Sequence, residues 1–190
     1  MNISALKEIV DTAFVHHPSR RIHTYSVAKL AQVLAHIYHV EEEKAIYASY
    51  AHDLTKYWTE EEAILLIESM NPSEDISSWG KFALHALSGA YYIKKLGVND
   101  DDIFNAIKYH TTGRKEMSKL EQIIYISDYC EETRPFDSSS ILKEALVSLD
   151  KAMYMIIQSE VLRHLEKHHL VMELTTEALL YYQKIVEEMK

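Results

Sequence analysis

Apolar residues recur every three to four positions along nearly the whole chain, and no stretch sustains period-two alternation. That pattern predicts helices and no strand. Ile3, Leu6, Ile9, Val10, Ala13 and Phe14 make one face over residues 3–16, and Pro18 marks the turn that follows. Val27, Leu30, Ala31, Leu34 and Ile37 repeat it over 19–38. Residues 41–53 begin with Glu41-Glu42-Glu43, suited to the positive end of a helix dipole, and continue through Ala45, Tyr47, Ala48 and Ala51, small enough for close packing on a neighbour.

Capping signals set further boundaries. Thr59 with Glu62 is a capping box opening a helix over about 60–70, which Asn71-Pro72-Ser73 should stop. A helix over 78–96 carries Phe82, Leu84, Leu87, Ala90, Tyr91, Ile93 and Leu96, with Gly97 as its C-cap. Asn99 is the expected cap of 100–110. Ser118 with Glu121 is a second capping box, for a helix running to about 133 and stopped by Arg134-Pro135. Ser138-Ser139-Ser140 opens a segment to about 149, followed by helices over 151–168 and 176–189. The prediction is an all-α chain of eight to ten helices in one domain over 1–190, without repeat or linker.

Composition agrees. Only 4 Gly and 3 Pro occur among 190 residues, 47% of which are hydrophobic. A single cysteine, Cys130, rules out an internal disulfide. The N-terminus lacks the features of a signal peptide, and no apolar run reaches the ~20 residues that cross a bilayer, so a cytoplasmic protein is expected. A net charge of −9 argues against nucleic acid or an anionic membrane as partner. Against that acidic background Arg20, Arg21, Lys56, Arg114, Lys115 and Arg134 lie close in sequence to the histidines and carboxylates considered next.

Those residues are spread over five helical segments. His23 lies four residues before Val27 and so points inward; alone, it reads most simply as a hydrogen-bonded core residue. His85 is mid-helix among apolar residues, and His110 ends a helix before Thr111-Thr112-Gly113. Asp128 sits within Ile123-Ile124-Tyr125-Ile126-Ser127-Asp128-Tyr129. A carboxylate buried there costs several kcal/mol unless paired, hydrogen-bonded or metal-bound. Adjacent helical residues point about 100° apart, so His52 and Asp53 reach one ion only at a helix end, which Leu54-Thr55-Lys56 supplies. Imidazole with carboxylate suits iron, manganese, zinc or nickel. His16, His17, His164, His168 and His169 read as solvated residues, and Trp58 and Trp79 as packing residues.

The ordered set His23, His52-Asp53, Asp128 resembles the metal signature of the HD superfamily of phosphohydrolases, and His85 and His110 match the two extra histidines of many members. Arg20-Arg21-Ile22-His23-Thr24, His52-Asp53-Leu54-Thr55-Lys56, Tyr109-His110-Thr111-Thr112-Gly113 and Ile126-Ser127-Asp128-Tyr129 with Arg134 are similar to the YqeK-type branch, the symmetrical bis(nucleosyl)-tetraphosphatases. The resemblance covers about residues 3–189. It implies an HD-domain helical bundle whose metal core spans about 19–135, with the helices of 138–189 completing the fold.

It also implies symmetrical cleavage of diadenosine tetraphosphate to two ADP. His23, His52, Asp53 and Asp128 would hold a metal, iron in the family, and His85 and His110 would hold a second ion or contact the phosphate and leaving group. Lys56, Arg134 and Arg20 would neutralise phosphate charge, and Thr111 and Thr112 would line a phosphate loop. The nucleobase segment would be Leu170-Val171-Met172-Glu173-Leu174-Thr175, which departs from the proline-containing version in the family. A homodimer is in keeping with the resemblance. The alternatives are an HD nucleotidase or phosphodiesterase for another nucleotide, and a nucleotide sensor with little turnover.

Overall fold

The computed structural model describes residues 1–71 and 73–189. Among these residues there are ten α-helices, one 3₁₀ turn and no strand. They are α1 (Ile3–Ala13), α2 (Pro18–Tyr38), α3 (Glu42–Ala51), α4 (Glu60–Met70), α5 (Leu84–Lys95), α6 (Asp101–Lys108), α7 (Lys119–Cys130), α8 (Ser139–Ala145), α9 (Leu149–Glu166) and α10 (Glu173–Glu188).

The all-helical expectation holds, and so do both capping boxes. Thr59 accepts from the Glu62 N–H and Ser118 from the Glu121 N–H, each glutamate reaching back to the cap backbone. Other boundaries move. Helix α5 begins at Leu84 rather than near 78, because Ile76–Ser78 close a 3₁₀ turn and the Gly80 carbonyl then takes the Ala83 and Leu84 N–H groups. Asp100, not Asn99, caps α6, its carboxylate accepting from Asp102 and Ile103. Helix α7 ends at Cys130, with Glu131 extended at ψ 153°. Helix α9 begins at Leu149, because Ser148 supplies a cap by accepting from the Lys151 N–H. Pro72, part of the expected stop after α4, lies outside the described residues.

Helix α7 is central. It packs on α2, α3 and α6 on one side and on α8 and α9 on the other. The apolar residues that allow this, Leu120, Ile123, Ile124 and Ile126, are all buried. Ala45, Ala48 and Ala51 of α3 are fully buried, and the missing side-chain bulk brings α3 close to α2. These contacts direct the ends or inner faces of α2, α3, α5, α6 and α7 at one spot.

Candidate metal centre and cleft

The chain leaves α3 through a series of tight turns. Leu54 N–H donates to the Ala51 carbonyl at 3.2 Å and Lys56 N–H to the Asp53 carbonyl at 2.9 Å. Such i→i+3 turns are tighter than α-helix and rotate successive side chains differently. They bring His52 and Asp53, both buried, onto one centre.

His23 Nε2 lies 3.4 Å from His52 Nε2 and 3.0 Å from Asp128 Oδ1. His52 Nε2 is 3.3 Å from Asp53 Oδ2. On the far side of the same carboxylate, Asp53 Oδ1 is 3.1 Å from His85 Nε2 and 3.7 Å from His110 Nε2, and these two nitrogens are 3.2 Å apart. Asp53 therefore turns one oxygen to each of two histidine pairs. All six sequence-predicted residues meet here.

The outer nitrogens of three of the four rings are committed. His52 Nδ1–H donates to the Ser49 carbonyl at 2.6 Å, His110 Nδ1–H to the Ile107 carbonyl at 2.8 Å, and His23 Nδ1–H to Glu131 Oε1 at 2.9 Å. Lys56 Nζ donates to His85 Nε2 at 3.0 Å. In the neutral rings each inward Nε2 then carries a lone pair. Burial also pushes the His85 pKa down, to about 4, which keeps that ring neutral. Lone pairs thus face carboxylate oxygens, acceptor against acceptor, and buried Asp53 Oδ1 has no hydrogen-bond partner among the described residues despite its close neighbours. Buried acceptors gathered without protons between them fit cations. Imidazole nitrogens with their other N–H tied to a carbonyl or carboxylate are also the usual form of metal-binding histidine.

Both carboxylates stay ionised. Burial alone would raise both, but each faces a permanent cation, Arg20 at Asp53 and Arg134 at Asp128. The three expected cations are here. Arg20 Nη1 donates to Asp53 Oδ2 at 2.5 Å, Lys56 Nζ is 3.6 Å from Asp53 Oδ1, and Arg134 donates to both the side chain and the backbone carbonyl of Asp128.

A cleft opens from this centre. Lys56, His110, Asp128 and Arg134 form its inner end, Thr111 and Tyr125 line it, and Tyr129, Phe136, Phe82, Glu160, Val161, Arg163, His164, Val171, Met172 and Thr175 complete the wall. Of the expected nucleobase segment, Val171, Met172 and Thr175 line the cleft, whereas Leu170 is 93% exposed, Glu173 is exposed and Leu174 packs in a small cluster with Leu66 and Trp79. Thr112 is buried behind the wall, where its carbonyl accepts from Thr175 Oγ1 at 2.9 Å.

Three features were not anticipated. Glu131 orients His23. His164, expected on a solvated face, is half-buried beside Phe82 at a ring separation of 5.6 Å and lines the cleft. His17, expected to be exposed, stacks on Tyr57 at 3.6 Å. The first had a faint signal, an acid three residues beyond Asp128; the others had none.

A helical bundle with a paired histidine–aspartate centre and a basic cleft defines the class of the protein. The HD domain family matches residues 20–133, and the chain belongs to that family. Within it the chain is 32% identical, over 100% of its own length and 99% of the relative's, to a Staphylococcus aureus protein named bis(5'-nucleosyl)-tetraphosphatase, symmetrical. It is 38% identical to the Halalkalibacterium halodurans protein of the same name, over 72% of each. A crystal structure from Clostridium acetobutylicum, described as a predicted HD superfamily hydrolase involved in NAD metabolism, superposes with a TM-score of 0.87 at 31% identity, covering 97% of this chain and 98% of that one. No helix among the described residues is long and apolar enough to cross a membrane.

Proposed function

We propose that this protein is a metal-dependent hydrolase that cleaves diadenosine tetraphosphate, or a closely related dinucleoside polyphosphate, symmetrically into two nucleoside diphosphates. The observation that carries this is the convergence of four inward Nε2 atoms on Asp53 and Asp128 at the closed end of a basic cleft. The names of the Staphylococcus and Halalkalibacterium relatives supply the substrate.

In this reading His23, His52, Asp53 and Asp128 hold one ion. The placement of His85 and His110 on the other oxygen of Asp53 favours a second ion over a purely phosphate-contacting role. Iron is the proposed metal; manganese, nickel and zinc share the same donor preference. When bound, such an ion acidifies water and polarises phosphoryl oxygens.

The chain's own groups do the rest. Lys56 and Arg134, half-buried at the inner end of the cleft, bind the phosphate oxygens, and Arg20 offsets the charge of Asp53 from behind. Thr111 lies beside them on the cleft wall. Water adds to an inner phosphorus, the bridging P–O bond breaks, and the departing oxygen belongs to a nucleoside diphosphate, so charge neutralisation serves it more than a strong acid does. Glu131, Ser49 and Ile107 hold three imidazoles in their inward tautomer. The outer aromatic and apolar wall receives one nucleoside. The described helices are read as one domain, because α7 packs on the metal-core helices and on α8 and α9 alike; a cytoplasmic setting is part of the same proposal.

Incubating the metal-loaded protein with diadenosine tetraphosphate tests this. ADP as the only nucleotide product supports it; ATP with AMP overturns the symmetrical reading, and binding without turnover favours a sensor.

A further inference from the structure

Tyr125 sits where the metal end of the cleft meets the apolar end. It lies three residues before Asp128 on α7, which places the two on one helix face with Cβ atoms about 5–6 Å apart. The residue is buried, 5% exposed, yet it lines the cleft, and its hydroxyl finds no hydrogen-bond partner among the described residues. Burial pushes the phenol pKa up, so the group remains a donor throughout the neutral range. Its ring is backed by Gly113, where an added Cβ would come within 3.6 Å of Tyr125 Cε2 and where φ is +63°. Nearby on the same wall Thr111 Oγ1 is buried and likewise unpartnered.

Buried hydroxyls are normally satisfied, so the orphaned Thr111 Oγ1 marks the place of an absent acceptor, and the Tyr125 hydroxyl lies on the same cleft wall without a partner among the described residues. Phosphate oxygens accept and never donate. The inner rim next to these hydroxyls carries Lys56 and Arg134, which already select for anion.

We infer that Tyr125 contacts the substrate, its hydroxyl donating a hydrogen bond to the phosphate between the reacting phosphorus and the ribose, with Thr111 as a second donor. The inference rests on the proposed function for the identity of that phosphate. Tyr125 then contributes binding affinity for the nucleoside diphosphate arm.

The test compares wild type with Tyr125→Phe and Thr111→Val, each metal-loaded. Kinetics on diadenosine tetraphosphate are measured together with equilibrium binding of ADP and of adenosine, and with melting temperature. For Tyr125→Phe, KM and the ADP Kd rise about tenfold, the scale of a hydrogen bond to a charged group, with kcat within about twofold. Adenosine affinity and melting temperature stay at the wild-type values, because the hydroxyl has no partner among the described residues. Unchanged ADP affinity overturns the inference, whether or not the melting temperature falls. An equal loss for adenosine also overturns it, by moving the contact to the ribose or base. Should wild type fail to yield two ADP, the proposed function falls, while the ADP affinities still decide Tyr125.

Discussion

Glu131 accepts the Nδ1 proton of His23 at 2.9 Å, and this one hydrogen bond turns His23 Nε2 toward Asp128 and His52. Glu131 itself is fixed by the Thr133 N–H at 2.6 Å and the Thr133 hydroxyl at 2.7 Å. Outer partners of this kind are worth 10–100-fold in metal affinity. Glu131→Gln, which keeps the shape and removes the charge, should weaken metal binding about tenfold with helicity intact. A competitive chelator titration checks it; an unchanged affinity would show that Glu131 serves the fold alone.

Asp53 is the hub between the two histidine pairs. Asp53→Ala should abolish activity and metal uptake while far-ultraviolet circular dichroism stays helical. Adding metal should raise the melting temperature of wild type by preferential binding to the folded state and leave the variant unmoved. A variant that keeps full turnover would refute the site.

Lys56 stands at the cleft rather than behind it. Lys56→Ala should lower kcat/KM by about 10²-fold, in line with loss of one preorganised charge contact, and keep the metal content of wild type. Metal loss measured by elemental analysis would instead make Lys56 a part of the metal centre.

Arg114 grips the buried Glu121 with Nε at 2.8 Å and Nη2 at 2.6 Å, and the same glutamate completes the capping box of α7. Glu121→Ala strips both. Breaking a buried pair costs 3–5 kcal/mol, but Arg114 keeps some contact with water, so about 2–3 kcal/mol is expected in urea unfolding. A loss below about 1 kcal/mol would contradict this.

Glu74 supplies a pH dependence away from the metal. Burial opposes its ionisation, but Tyr91 and Lys108, donating at 2.5 and 2.9 Å, prevail and hold its pKa below the ordinary 4.5. A carboxylate with a depressed folded pKa stabilises above its unfolded value, and that contribution is lost as pH falls through the folded one. Urea midpoints of wild type and Glu74→Gln should differ at pH 6, and the gap should narrow as the pH falls below the ordinary 4.5. A constant gap would exclude Glu74 as the source.

The fold was legible because the apolar period stays near 3.6 and Thr59/Glu62 and Ser118/Glu121 announce two helix starts. The start of α5 was not, since Phe82 and Leu84 continue an apolar rhythm that Gly80 and the 3₁₀ turn at Ile76–Ser78 override locally. His23, His52, Asp53, His85, His110 and Asp128 could be chosen because such groups are costly on apolar faces. Glu131 and His164 acquire their surroundings from segments far away in sequence. Glu131 meets His23 across 108 residues, a pairing that no local pattern encodes. Leu170 and Glu173 share a segment with Val171 and Met172, yet the chain turns them outward as α10 begins.

Part of the cleft's outer wall is written in a different stretch of the chain from its metal end. The histidines, aspartates and cations all fall within 20–134, almost the span shared with HD domains at large, whereas Glu160, Val161, His164, Val171, Met172 and Thr175 come from α9, α10 and their connection. The Thr175–Thr112 hydrogen bond and the Lys115–Glu177 ion pair stitch α10 to the loop after His110. If the proposed function holds, substitutions at Val161, Val171 or Met172 should change substrate affinity while leaving the metal content at the wild-type value.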